Sequence, residues 1–254
     1  MNNKTLQKKY TTLTKSLSEK SGAVVAFSGG VDSLLLLKAA IDALNKNVIA
    51  VTAYSPFFTK KELIETKKLA EILGVEHRII NIDTLSNEEI ANNDENRCYY
   101  CKRQIMSEIK KIADETGYIA IEGSNTDDQN QIRPGKKAIS ELNIKSPLLD
   151  ADISKADVRE LLKHFVLPYS KPSNACLATR IPTGTKITAE QLQTVEVAEK
   201  CLHNIGISDC RVRHHGEIAR IEIKNNTDVL LNSDITTKLK EIGFKYITLD
   251  LGSL

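Results

Sequence analysis

The sequence has 254 residues, enough for one large domain, or for one of about 150 residues with a smaller companion. Hydrophobic residues make up 41% and charged residues 27%, and no apolar run reaches the roughly 18 residues that a membrane span needs. The formal charge of +2 argues against a long nucleic-acid track, and the polar start MNNKTLQKKYTTLTKSL lacks the apolar core of a signal peptide, so a cytoplasmic protein is expected.

In chain order, the polar start reads as a lead-in helix. Ala23-Val24-Val25-Ala26-Phe27 then reads as a buried strand, followed by a glycine turn and an apolar helix from Leu34. Asn47 to Tyr54 is a second buried strand, a helix runs from Thr59 to Leu73, and His77 to Ile82 is a third strand. The stretch Asp83 to Arg97 has no strong period beyond a turn of helix near Ser86 to Ile90. A helix from about Tyr99 to Thr116 is closed by Gly117, and Tyr118 to Gly123 is a fourth strand. Alternation of strand and helix predicts an α/β fold, a parallel sheet with helices on both faces and ligands at the carboxyl ends of the strands. The expected organisation is a nucleotide-binding domain at 1–168, a cysteine-containing linker at 169–186 and a small α+β domain at 187–254. The last would hold a helix over Ala189 to Asn204, strands near 210–214, 218–223 and 246–251, and a helix around Ile235 to Ile242.

The chain is organised around Ser28-Gly29-Gly30-Val31-Asp32-Ser33, set between strand and helix. Paired glycines bring main-chain N–H groups close to an anion, and the helix start adds its positive dipole end. Ser28 and Ser33 add hydroxyls, and Asp32 is placed to hold a cation or cap the helix. The spacing fits neither a Walker loop nor a G-x-G-x-x-G dinucleotide fingerprint. SGGVDS resembles the pyrophosphate loop of the ATP pyrophosphatases, enzymes that adenylylate a substrate oxygen, release pyrophosphate and let a nucleophile displace AMP. Sheet topology puts Thr52 to Ser55, beside which the adenine is expected, and Gly123 to Asp128 at the same crevice.

Five cysteines, an odd number, do not suggest a disulfide framework. Cys98 and Cys101 form a C-x-x-C at a helix entry, a spacing that suits one metal or cluster, a redox pair or two half-buried side chains. Cys176 lies in a polar, proline-flanked loop, whereas Cys201 and Cys210 fall in apolar patterns that read as core.

Taken together, SGGVDS, NRCYYCKR, GSNTDD followed by RPG, KPSNACLATRIPTG, RVRHHGEIARIEI and YITLDL are similar, in order and over nearly the whole chain, to the LarE family. Those ATP-dependent sulfur transferases thiolate a pyridinium biscarboxylate mononucleotide on the way to the nickel-pincer cofactor of lactate racemase. The resemblance implies ATP and Mg2+, an acyl adenylate, and a sulfur species that displaces AMP. It implies either a [4Fe-4S] cluster held by Cys98, Cys101 and Cys176, or, in the branch lacking the C-x-x-C, sacrifice of the sulfur of a cysteine equivalent to Cys176. The C-x-x-C present here favours the cluster.

Among the remaining candidates, Asp127 and Asp128 follow a strand end and suit magnesium or substrate polarisation, against a solvated turn. Arg180 follows the cysteine loop and suits a phosphate or the departing AMP. Arg133, Arg211 and Arg213 suit a substrate phosphate, the last two because alternate strand residues share a face. Family members continue past the last strand with a Gly- and Arg-containing tail, whereas this sequence ends at Gly252-Ser253-Leu254. The expected partners are a small mononucleotide and further copies of the chain; neither a membrane nor tRNA is expected. The competing readings are a tRNA thiolase on the same loop, an amide-forming synthetase, and a non-catalytic ATP-binding iron–sulfur sensor.

Overall fold

A computed structural model describes residues 3–129, 134–171, 175–223, 227–231 and 234–253. The elements are α1 (Asn3–Ser18), β1 (Ala23–Ala26), α2 (Val31–Leu44), β2 (Val48–Tyr54), α3 (Lys60–Leu73), β3 (Glu76–Asn81), α4 (Glu88–Ala91), α5 (Arg97–Thr116) and β4 (Ile119–Ile121). Then follow α6 (Gly135–Glu141), α7 (Pro147–Asp150), α8 (Lys155–His164), α9 (Ala189–Asn204), β5 (Cys210–His215), β6 (Ile218–Ile223), α10 (Thr227–Leu231), α11 (Ile235–Glu241) and β7 (Tyr246–Leu249). None of the described helices is long and apolar enough to cross a membrane.

The chain falls into two compact units. The first comprises 1–55, 60–82 and 98–174; the second comprises 56–59, 83–97 and 175–254. In the first unit four parallel strands take the order β3-β2-β1-β4, the parallel α/β sheet expected from the alternation. Successive residues of a strand face opposite ways. Val25, Val48, Ala50 and Ile121 accordingly pack on one side with Leu13, Leu17, Leu35 and Leu161, from α1, α2 and α8. Val24, Ile49, Val51 and Ala120 pack on the other side with Met106, Ile109 and Ala113 of α5. Both faces are therefore covered, as a run of apolar strand residues requires.

The second unit has a small sheet of order β5-β6-β7, antiparallel then parallel. One face buries Val212, Ala219, Ile221 and Ile223 against Leu202 of α9 and Leu239 of α11. Cys210 lies in this core and Cys201 packs against it; burial pushes the Cys210 thiol up to about 12, with Glu199 adding to the effect. The sequence suggests a linear division at 168 and 187, whereas in the structure 83–97 joins the second unit. Asn93 is the reason. Fully buried, with a left-handed φ of 58°, it donates to the carbonyls of Ile181 (3.4 Å), Pro182 (2.8 Å) and Thr185 (3.0 Å). Arg97 bonds its side-chain oxygen and reaches the Ala178 carbonyl at 3.1 Å.

Two buried ionic contacts hold these units internally. In the first, Asp157 accepts from Ser154 N–H at 3.0 Å and from Lys9 Nζ at 3.0 Å, tying α8 to α1. Burial pushes its carboxyl up, but the Ser154 and Lys9 bonds outweigh that and hold it below the usual carboxylate value. Its contribution is therefore complete above the unfolded pKa of about 4 and is lost as pH falls through the lower folded value. Asp157→Ala should cost about 1–3 kcal/mol near neutrality and flatten the acid limb of stability below about pH 4, read from urea midpoints against pH. In the second unit, Arg180 Nε and Nη2 meet the two oxygens of Glu199 at 2.7 and 3.2 Å, with both side chains buried. Arg180→Met strands the Glu199 charge and should cost about 3–5 kcal/mol in denaturant unfolding; an arginine kept only for a ligand would leave stability unchanged.

Candidate active site

β1 is central, and the chain crosses from its β2 side to its β4 side, so the crevice at the carboxyl ends of β1 and β4 is a topological switch point. The loop Ser28–Ser33 opens there. Gly29 takes a φ of 71°, and a Cβ on it would lie 2.8 Å from Thr66 Cγ2. Gly30 caps α2, accepting from Leu34 N–H at 2.9 Å. Ser33 Oγ donates to the Gly30 carbonyl at 3.0 Å, lies 3.2 Å from Ser28 Oγ and accepts from Ser28 N–H at 3.3 Å. The two hydroxyls thus brace the turn at the N-terminal end of α2, with Gly30 N–H donating to Ser28 Oγ at 3.4 Å.

Gly123 follows β4 and is pressed against α2. A Cβ there would sit 3.0 Å from Ser33 N and 3.1 Å from the Asp32 carbonyl carbon, so a side chain would press the helix start away by a few tenths of an ångström. The preceding residue, Glu122, is buried; it accepts from Ser146 Oγ at 2.7 Å and Ser124 N–H at 3.0 Å, with Lys102 Nζ at 3.5 Å. Burial pushes its carboxyl up, but the Lys102 charge and the serine bonds bring it below the usual value.

Asp32 stands at the start of α2, where Asn125 Nδ2 donates to it at 3.0 Å and Lys155 Nζ pairs with its other oxygen. The structure thus adds Asn125 and Lys155, both distant in sequence, to the residues that shape the crevice. Their only sequence signals are a capping asparagine before Thr126 and a lysine after the α8 cap. Asp127 is exposed and accepts from Lys155 N–H at 2.8 Å; Asp128 closes a capping box with Asn125. Both acids therefore order the turn that carries Asn125.

Thr52, at the strand end beside which adenine is expected, has protein partners of its own. Its buried hydroxyl donates to the Phe27 carbonyl at 2.7 Å and lies 2.8 Å from His77 Nε2. With its one proton committed, it accepts from His77, which assigns the Nε2–H tautomer. Burial, with the Lys67 charge, lowers the His77 pKa in agreement. Thr52 therefore fixes the last residue before the phosphate loop.

Cys98 and Cys101 lie in the first turns of α5, one exposed and one half-buried, on one helix face; the helix begins at Arg97, two residues earlier than the sequence pattern suggests. That pair suits two thiolates of one cluster. Cys176 is exposed and belongs to the second unit, before a 3-10 turn over Leu177–Arg180. Among the described residues no three His, Cys, Asp or Glu side chains are grouped as a metal site. Arg180, for which a phosphate or the departing AMP is expected, is bonded within the protein: besides Glu199 it donates to the Ala175 carbonyl at 2.8 Å, so it anchors the cysteine segment from within. Arg211 and Arg213 lie on the sheet face opposite Val212, where Arg213 is paired at 2.8 Å through two nitrogens with Glu222 and donates to the Thr179 carbonyl. Arg133 lies outside the described residues.

This arrangement can be set beside known proteins. The family model described as NAD synthase matches residues 5–180. The chain is 39% identical to pyridinium-3,5-bisthiocarboxylic acid mononucleotide synthase of Lactiplantibacillus plantarum, over 98% of this chain and 92% of that protein. It is 37% identical to an uncharacterized Synechocystis protein, over 97% and 94% of the two chains. It is also 31% identical to the NH(3)-dependent NAD(+) synthetase of Pyrococcus horikoshii, over 41% and 42%. An SGGVDS loop at the switch point of a parallel sheet, inside an NAD synthase match over residues 5–180, and end-to-end likeness to the bisthiocarboxylic acid mononucleotide synthase place this chain in the NAD synthase family of pyrophosphate-loop proteins, in its LarE branch.

Proposed function

We propose that this protein is an ATP-dependent sulfur transferase acting on a pyridinium-3,5-biscarboxylate mononucleotide. The observation that carries the reading is the SGGVDS loop at the β1–β4 switch point, in a chain alike throughout its length to a synthase of the bisthiocarboxylic acid mononucleotide. In the proposed reaction a substrate carboxylate oxygen attacks the α-phosphorus of ATP. The bond from that phosphorus to the bridging oxygen breaks, and pyrophosphate leaves with the electron pair. A sulfur nucleophile then adds to the acyl carbon, and AMP leaves with the carbon–oxygen electron pair, giving a thiocarboxylate.

Ser28, Gly29, Gly30 and Ser33 are assigned to the phosphates, and Asp32 to Mg2+ with Asp127 or Asp128. Gly123 admits the helix start, and Thr52 steadies the strand end. Arg133, Arg211 and Arg213 are assigned to the phosphate of the mononucleotide, for which guanidinium forks are suited. Arg180 contributes by anchoring the loop of Cys176. Cys98, Cys101 and Cys176 are assigned to a [4Fe-4S] cluster, which, held by three thiolates, would supply an exchangeable sulfide. Reduced thiols of this kind belong to a cytoplasmic setting, and assembly with further copies of the chain is part of the same proposal.

Anaerobically purified protein should contain about four irons and matching acid-labile sulfide per chain, and Cys98→Ala should lose them. Iron absent from both, with Cys176 losing the mass of one hydrogen sulfide after turnover, would replace the cluster by sacrificial donation. Pyrophosphate release should require both ATP and the mononucleotide; release indifferent to any acceptor would favour the sensor.

A further inference from the structure

The phosphate loop brings no cation of its own. Asp32 is the one charged residue among Ser28–Ser33, and Lys155 is paired with that aspartate. A second ammonium reaches the loop from a segment 142 residues away: Lys171 Nζ lies 3.3 Å from the carbonyl oxygen of Gly29. The same nitrogen is 2.7 Å from Glu65 Oε2 on α3. Glu65 precedes Thr66, whose methyl packs against Gly29, so α3, the loop and Lys171 meet at one point.

The partnership with Glu65 is a weak one. Both side chains are half-buried, and pairs of this kind contribute little once screening and side-chain entropy are counted. A phosphate oxygen is the stronger acceptor for the same ammonium, because the bond is charge-assisted and the ligand carries more than one charge. The Gly29 carbonyl accounts for one of the three ammonium protons and the Glu65 carboxylate for a second. A lysine held this close to the loop backbone needs only side-chain rotation to reach an anion on the loop's N–H groups.

We propose that Lys171 is an ATP-contacting residue, held by Glu65 in the free protein and transferred on binding to the phosphates that leave as pyrophosphate. The inference rests on the reading of the loop as an ATP site. As the bond to the α-phosphorus breaks, the electron pair moves onto pyrophosphate oxygen, and an ammonium there offsets the charge that develops. Glu65 is a positioning residue: it keeps the lysine at the loop while competing with the ligand for it.

A purely structural ion pair predicts the same effect from removing either partner. A ligand role predicts opposite effects, and this decides the matter. Calorimetric titration of magnesium ATP and of inorganic pyrophosphate into the whole protein would compare wild type with Lys171→Ala, Lys171→Arg and Glu65→Gln. The expected result is about tenfold weaker pyrophosphate binding for Lys171→Ala, near-normal binding for Lys171→Arg, and equal or tighter binding for Glu65→Gln. Wild-type affinity in Lys171→Ala would overturn the proposal, as would parallel losses of affinity and melting temperature in Lys171→Ala and Glu65→Gln. Should Lys171→Ala fail to fold, weakened binding in a folded Glu65→Gln would overturn it and tightened binding would support it. Wild-type protein binding neither ATP nor pyrophosphate would overturn the ATP reading of the loop, and this inference with it.

Discussion

The larger unit depends on one close approach, the start of α2 against the carboxyl end of β4 at Gly123. Ser33 N and the Asp32 carbonyl carbon lie 3.0 and 3.1 Å from where a Cβ on residue 123 would sit, closer than side chains ordinarily pack. That contact brings the strand-end turn of Asn125 onto Asp32, and Lys155 with it. On the other side of β1, the Thr52 hydroxyl pins the Phe27 carbonyl, so the loop leaves the sheet from a fixed point. The anion site is therefore positioned by its neighbours before any ligand arrives, which is how a short turn of small residues acquires a definite geometry.

The sheet and loop were legible in the sequence because their causes are local. Apolar runs of four to seven residues make β1 and β2, and the glycine pair marks the turn. The small unit was legible for the same reason: the inward residues Val212, Ala219, Ile221 and Ile223 alternate with polar ones. What stayed hidden were pairings set by tertiary contact. Asn125 meets Asp32 across 93 residues and Lys155 meets it across 123, and no period or motif links them. Thr52 sits at the end of a strand run, where topology points to a ligand, and no local signal tells that its side chain turns inward to a backbone carbonyl.

Arg180 illustrates the same limit in the opposite direction. An arginine beside a reactive-looking cysteine suggests a grip on phosphate; its side chain is 2% exposed and its guanidinium is divided between Glu199 and backbone carbonyls. Glu199 in turn accepts the Val212 N–H at 3.1 Å, so one buried carboxylate joins α9, β5 and the turn after Cys176. Sequence reports that a charge exists near a functional loop. Which neighbour neutralises it depends on burial, and burial is a property of the whole fold.

The interleaving of the chain orders its synthesis in time. Residues 83–97 belong with the segment 175–254, and Asn93 finds its carbonyl partners only 88 to 92 residues further on. At about 5–20 residues per second, the nascent segment stands without them for roughly 5–20 s. Closing so long a loop adds little free energy, since the cost grows only with the logarithm of length. The exposure during that interval is the greater hazard, and the segment is written for it: LSNEEIANNDENR is rich in acid and amide side chains, with few apolar positions to recruit a wrong partner. What looks in the finished protein like an irregular polar connection is also a stretch whose side chains suit that interval.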